Sequence, residues 1–423
     1  MNLNIKKTNY FKMKKKEEKF NLKIKLSYLK DKLKKIKHDF QLNKDNKINN
    51  KSQSLPKPIK IRNPGVDLGR ILAMLGIIIH HIIFHGKAMN KYPKYKVIDN
   101  INSGVFWHVS TYIFISGYVG YKTTKYSNLL YLWLCTLFYS IGIIKYLTIY
   151  KPHLYKKKIE LIDFFPVLTN QYWYFTAHFG MYLFLPLYNK GLEHINKSQL
   201  KVMIISLIGV YIVLKDYMIP NSDIFKMCGG YSSIWFLIFY STGAYFGKFK
   251  KERSLIQKII YNIIYILIFY FSAKLCFDSP SYQINERNPK FKDKFIIFLK
   301  SLFITRISAL PMILESIAIM LFITNITYNK YIAKIISFIG PLTFGIYLIH
   351  DNPIIRNKIM ENILNDCPKQ LPCDKIIKII LKKALKIFAK CTIIEYLRNI
   401  LFRICQIRRI CILIEKFIFI ILG

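Results

Sequence analysis

The sequence predicts an all-α, polytopic membrane protein of about ten transmembrane helices, with a basic cytoplasmic N-terminal tail. Three observations carry that prediction. Apolar residues make up 52% of the 423 positions and fall in long blocks, a pattern that a bilayer rather than a soluble core buries. Ten of these blocks approach the roughly 20 residues a helix needs to cross the hydrocarbon. Lys and Arg outnumber Asp and Glu by 65 to 23, giving +42, yet they lie mainly in the tail and between the blocks. No nucleic-acid partner is therefore expected, in spite of the charge.

Residues 1–60 form the tail. Leu22, Leu26, Leu29, Leu33, Ile36 and Phe40 recur there at spacings of four and three, with lysines between. That period predicts a basic amphipathic helix on an anionic membrane surface, or a short coiled coil. A solvated tail of marginal helicity is the alternative. Ser54, Leu55, Pro56, Lys57 and Pro58 read as a linker.

The membrane domain runs over 61–403, with spans near 66–86, 104–121, 128–149, 171–189, 200–219, 231–247, 256–276, 307–326, 332–351 and 377–397. The tenth is interrupted by Lys378, Lys382, Lys383, Lys386 and Lys390, so an interfacial helix is its alternative. Residues 404–423 are a basic and apolar C-terminal tail. The Lys/Arg bias places the N-terminus in the cytoplasm, and ten crossings return the C-terminus there with Arg398, Arg403, Arg408 and Arg409. A multi-pass protein of the plasma membrane with both termini cytoplasmic is expected. None of the eight cysteines forms a CxxC pair, and no Cys/His group has zinc spacing; no metal centre and no bound cofactor are expected.

The first span holds Asp67, Arg70, His80, His81 and His85. Ionisable groups this deep in a span cost roughly 2.5–3.5 kcal/mol each on insertion scales, and they survive where they face a protein interior or water. Arg70 and His81 are eleven positions apart, three turns plus about 20°, so they share a face with an axial separation of about 16 Å. Asp67 precedes Arg70 by three and can pair with it. His85 extends the stripe, whereas His80 points about 100° away. An imidazole titrates near neutrality, which suits His81 to proton transfer; a histidine satisfied by a neighbouring helix is the alternative. Arg70 presents a permanent, forked charge suited to phosphate, or to a structural pair with Asp67.

Arg70 and His81, with ten residues between them, resemble the R-X10-H signature of the acyltransferase 3 family. Further segments agree in order. Tyr112 to Tyr118, containing Ser116 and Gly117, resembles the family's Ser-Gly-aromatic segment, and Lys122 and Lys125 follow where basic residues are usual. Trp173, Tyr174 and Phe175, with Tyr182 and Pro186, resemble its fourth-span pattern. Thr343 to Asp351, with Tyr347 and His350, resembles the late span ending in Tyr-Leu-x-His. The resemblance covers about residues 61–403.

It implies a membrane O-acyltransferase, moving an acetyl group from acetyl-CoA to a sugar hydroxyl of a cell-surface polysaccharide or its lipid-linked precursor. His81 would take the acceptor's proton or briefly carry the acetyl group. Arg70, Lys122 and Lys125 would hold the acyl-CoA, which arrives as a co-substrate, and Asp67 would orient Arg70. By position rather than by resemblance, His350 and Asp351 near the outer end of the ninth span are candidates to hold the acceptor sugar, with an interfacial polar cap as the alternative. Trp173 is a candidate to stack on a sugar face or to anchor the interface, and His85 is a further acceptor-side candidate. A polytopic transporter or flippase of an envelope lipid or glycan would explain the intramembrane charges as well, and another acyl group, such as succinyl, would fit the same residues.

Overall fold

The computed structural model describes residues 62–122, 124–152, 159–219, 222–278, 308–368 and 370–422. The N-terminal tail, its amphipathic stretch and the linker lie outside these residues. Among the described residues every regular element is helical, as the blocky hydropathy predicts.

Helix α1 (Pro64–His85) is started by Asn63, whose Oδ1 accepts the Gly65 amide at 2.8 Å, and by Pro64 in the first turn, where no amide hydrogen is needed. Its 22 residues rise about 33 Å. Helices α2 (Trp107–Gly120), α3 (Tyr126–Tyr150) and α4 (Trp173–His194) follow. The fifth predicted span is composite: α5 (Lys197–Ile208) passes through a π-helical stretch, Gly209–Leu214, into a last turn, Lys215–Met218. Helices α6 (Ser233–Lys248), α7 (Leu255–Asp278), α8 (Leu310–Asn325), α9 (Lys330–Ile339) and α10 (Thr343–His350) continue the series. The last two form one apolar rod through a single 3-10 turn at Gly340–Leu342.

By length and composition, five of these stretches can cross a membrane: Pro64–His85, Tyr126–Tyr150, Lys197–Leu214, Leu255–Lys274 and Lys330–His350. Exposed Ile259, Ile263 and Leu267 on α7 face outward, as a lipid-facing helix requires.

The chain is longer in helix at its C-terminal end than the sequence implies. In place of a weak span at 377–397, α11 (Cys373–Ile404) runs for 32 residues. The reason is periodic. Ile376, Ile380, Ala384, Cys391, Glu395, Arg398 and Phe402 make one buried stripe, and the lysines at 378, 382, 386 and 390 stand exposed off it. The basic and apolar tail beyond it contains α12 (Ile407–Leu422), seated on Cys411, which is fully buried.

Helix α1 lies between two apolar cores. One joins α2, α4, α6 and α8 through Phe114, Met181, Trp235, Phe239, Ile313 and Met320. The other joins α1, α3, α10 and α11 through Ile78, Ile82, Tyr139, Ile346 and Ile380. Helix α2 runs antiparallel to α1: His108 fills the notch at Gly76, and the Tyr112 hydroxyl donates to the Arg70 carbonyl at 2.7 Å. Helix α4 spans from one end to the other. Its Tyr172 neighbour donates to the Leu348 carbonyl at 3.1 Å, and Asn189 donates to the Gly120 carbonyl at 3.2 Å. The molecule therefore has a His81 end and an Arg70 end.

Candidate active site

His81 sits in the penultimate turn of α1, and the chain that meets it comes from the end of α10. That helix closes on His350, with Asp351 as its cap. Asn352 then starts a short turn, Pro353–Ile355, its Oδ1 accepting the Ile354 amide at 3.0 Å. A π-helical stretch, Arg356–Met360, follows. This reversal brings His350, Asp351 and Arg356 to one place. It is pinned from α4, because Asn352 Nδ2 donates to the Tyr172 hydroxyl at 2.9 Å.

Asp351 Oδ1 lies 3.6 Å from His81 Nδ1 and 3.3 Å from Arg356 Nη1. The carboxylate is 1% exposed and the imidazole 12%, so the pair is enclosed while His81 retains an opening. His350 and His85 each place their ring centroids 5.1 Å from that of His81. The His350 Nδ1 faces the Ile346 carbonyl at 2.7 Å. A carbonyl only accepts, so Nδ1 carries the hydrogen and Nε2 presents a lone pair. Three buried polar atoms here have no hydrogen-bond partner: His81 Nδ1, His350 Nε2 and Asp351 Oδ2. Buried groups are normally satisfied, and a cluster of exceptions marks a place built for something other than stability.

At the other end of the stripe, Arg70 Nη1 donates to Asp67 Oδ1 at 2.6 Å, the pairing that their spacing predicts. Asp67 is fully buried against Gly340, where any larger residue would collide with it. Arg70 remains 23% exposed. Lys122 and Lys125 are exposed beyond the end of α2, at the same end of the molecule as the start of α1, and among the described residues neither has an ion pair. No hydrogen bond or ion pair joins them to Arg70.

Between the two ends runs a series of tyrosines. Tyr112, bonded to the Arg70 carbonyl, packs at 6.2 Å on Tyr174; Tyr174 packs at 6.0 Å on Tyr347, which packs at 6.5 Å on His350. The Tyr347 hydroxyl is buried and without a partner.

Trp173 is at the His81 end but turns away from the cluster, its ring 4.3 Å from that of Tyr231. His80 is occupied by Asn102, with Nδ1 and Oδ1 2.8 Å apart. His108 faces the Val105 carbonyl and stacks on Trp107. Ser116 donates to the Tyr112 carbonyl at 2.9 Å, and Gly117 lets the backbone of α6 approach, so the pair serves packing.

One turn past His85, an open cleft of about 430 Å³ is lined by Gly86, Lys87, Asn90, Lys91, Glu361, Asn362 and Asn365. Apart from Gly86, every residue that lines it carries a polar or charged side chain. A hydrogen bond from Lys87, together with its charge, holds the Glu361 carboxyl below the ordinary carboxylate range.

Sequence reasoning missed Arg356, Asn352, Tyr172 and the role of Tyr347. The one local signal was Asn352 before Pro353, a helix-start pair directly after His350 and Asp351. The bond of Asn352 to Tyr172 depends on tertiary structure and left no trace in spacing.

A family model described as an acyltransferase domain matches residues 63–360, which is more than half of the 423 residues. No curated protein and no solved structure matches the chain.

Proposed function

The chain belongs to the acyltransferase 3 family and is a membrane acyltransferase; from that premise we propose that it transfers an acetyl group from acetyl-CoA to a sugar hydroxyl of a cell-surface polysaccharide or its lipid-linked precursor. The observation that carries the mechanism is the buried Asp351 carboxylate beside His81 Nδ1. A carboxylate there favours the tautomer with hydrogen on Nδ1 and leaves Nε2 as the base, and it stabilises the imidazolium that forms. Arg356, 3.3 Å from Asp351 Oδ1, favours the charged form of the carboxyl against its burial and holds it in place.

His81 Nε2 takes the proton of the acceptor hydroxyl as its oxygen bonds to the thioester carbonyl carbon. The tetrahedral intermediate collapses with cleavage of the C–S bond. The departing thiolate then receives the proton from the imidazolium, giving free CoA and the sugar ester.

The donor enters from the Arg70 end. Arg70, Lys122 and Lys125 supply positive charge for the CoA phosphates, with Asp67 fixing the Arg70 fork. The pantetheine arm follows the tyrosine series, where the unpartnered Tyr347 hydroxyl suits one of its amides, and covers the rise of about 16 Å to His81. The acceptor uses the polar cleft past His85, with His350 beside His81 where the two meet; Trp173, turned onto Tyr231, takes no part in this reading. The proposal has the protein in the plasma membrane with the Arg70 end facing the cytoplasm, the His81 end outside, ten crossings and both termini inside.

The test is to express the wild type, His81→Ala and Asp351→Asn, then quantify base-labile acetyl on purified surface polysaccharide by NMR. His81→Ala should leave no acetylation above background, and Asp351→Asn should lose about 10²–10⁴-fold, the range of general acid–base catalysis. Equal acetylation by wild type and a normally inserted His81→Ala variant would overturn the mechanism.

A further inference from the structure

We propose that His81, His85 and Asp351 form an inhibitory site for a borderline divalent metal ion of the zinc type. His81 and His85 are four apart on α1, so both imidazoles project from one face, one turn apart. Asp351 arrives from the end of α10 and completes a two-histidine, one-carboxylate set. One ligand atom from each of the three lies within 4.8 Å of the others. A tetrahedral zinc ion with bonds of about 2.0–2.2 Å holds its ligand atoms about 3.3 Å apart. The 3.6 Å between His81 Nδ1 and Asp351 Oδ1 is already close to that value, and small side-chain rotations bring in His85.

Two independent features point to a cation. His81 Nδ1 and Asp351 Oδ2 are buried with no hydrogen-bond partner, both on the ligand set itself. His350 Nε2, also buried and unpartnered, offers a further lone pair from a ring 5.1 Å from that of His81. One group opposes the ion: Arg356, 3.3 Å from Asp351 Oδ1, competes for the carboxylate and repels a dication. The site is therefore tuned for reversible binding rather than for a resident metal.

The consequence follows from the two nitrogens of His81. An ion on Nδ1 forces the imidazole hydrogen onto Nε2. An Nε2–H cannot accept a proton from the acceptor hydroxyl, so the metal-bound enzyme lacks its base. Inhibition rests on the function proposed above, whereas metal binding does not, and the two are measured separately.

Purified protein in detergent is equilibrated with Zn²⁺ alone, desalted and assayed for bound metal; Co²⁺ replaces Zn²⁺ in a parallel sample so that tetrahedral absorption reports the ligand field directly. Wild type is expected to bind one equivalent, with zinc inhibition following the same titration. His85→Ala and Asp351→Asn should each weaken binding by about 100-fold or more, because loss of a direct ligand exceeds the roughly 10–100-fold cost of losing an outer-shell partner. Arg356→Gln should tighten it several-fold, because a repelling charge and a competitor for the carboxylate are removed together. A purely structural role for Arg356 would not improve metal affinity. His194→Gln, at the exposed far end of α4, should leave metal binding unchanged. Absence of stoichiometric binding in wild type, or equal affinity in wild type and His85→Ala, would overturn the site. Stoichiometric binding without inhibition would overturn the inhibitory role, and loss of acetyl transfer as the activity would leave the binding result standing.

Discussion

The Tyr347 hydroxyl is buried among apolar and aromatic side chains with no hydrogen-bond partner. An unsatisfied buried hydroxyl destabilises a fold by about 1–3 kcal/mol, so its retention calls for a use. In the proposed donor route it would meet the pantetheine arm. Tyr347→Phe removes the oxygen and keeps the ring that packs on Tyr172, Tyr174 and Phe344. The folded variant should be as stable as wild type or more so, read as thermal unfolding in detergent. The KM for acetyl-CoA should rise by about fivefold, the equivalent of one net hydrogen bond of roughly 1 kcal/mol. Higher stability with an unchanged KM would remove Tyr347 from the donor route.

At the scale of helices, the α2–α6 contact is set by glycine. A Cβ on Gly117 would stand 1.9 Å from the Tyr240 carbonyl oxygen, and one on Gly243 would stand 2.0 Å from that of Phe114. Both obstacles are backbone, so the helices themselves must move apart. Gly117→Ala should therefore destabilise by about 1–3 kcal/mol or more, as overpacking does, seen as a lower unfolding temperature and poor recovery from detergent. The helices were legible because their apolar blocks are long. Helix α11 was underread because hydropathy averages all faces, so five lysines outweighed a clean buried stripe. Its buried Glu395 is not singled out by the sequence, and Arg398 reads there only as part of the cytoplasmic positive charge. Arg398 instead donates to Glu395 at 3.1 Å through Nε and to the Tyr131 hydroxyl at 3.0 Å, and Tyr139 donates to Glu395 at 2.6 Å, which locks α11 to α3. Charges satisfied by another helix read, in one dimension, as charges that should not be there.

Across the whole molecule, the stripe on α1 was legible because helical period fixes a face from sequence alone, and the Asp67–Arg70 pair formed as spacing required. The partner of His81 was not legible. Asp351 was singled out for the acceptor, but its place beside His81 depends on how α10 turns at Asn352, which no local pattern encodes. The same limit applies to the far end, where, among the described residues, no hydrogen bond or ion pair joins Lys122 and Lys125 to Arg70, and only the proposed CoA ligand would touch all three. On that proposal donor capture is an electrostatic property of one face, and it has a salt signature. Reversing both lysines (Lys122→Glu with Lys125→Glu) should raise the KM for acetyl-CoA by about tenfold at low ionic strength with kcat little changed, because exposed charges act on binding rather than on the transfer step. The effect should shrink as salt shortens the screening length from about 30 Å at 0.01 M to about 8 Å at 0.15 M. Arg70→Gln behaves differently. It removes the charge that faces buried Asp67, so stability should fall as well, by less than the roughly 3–5 kcal/mol of a fully buried pair since Arg70 is partly exposed. A KM that ignores both the lysine reversal and the salt would place the CoA phosphates elsewhere.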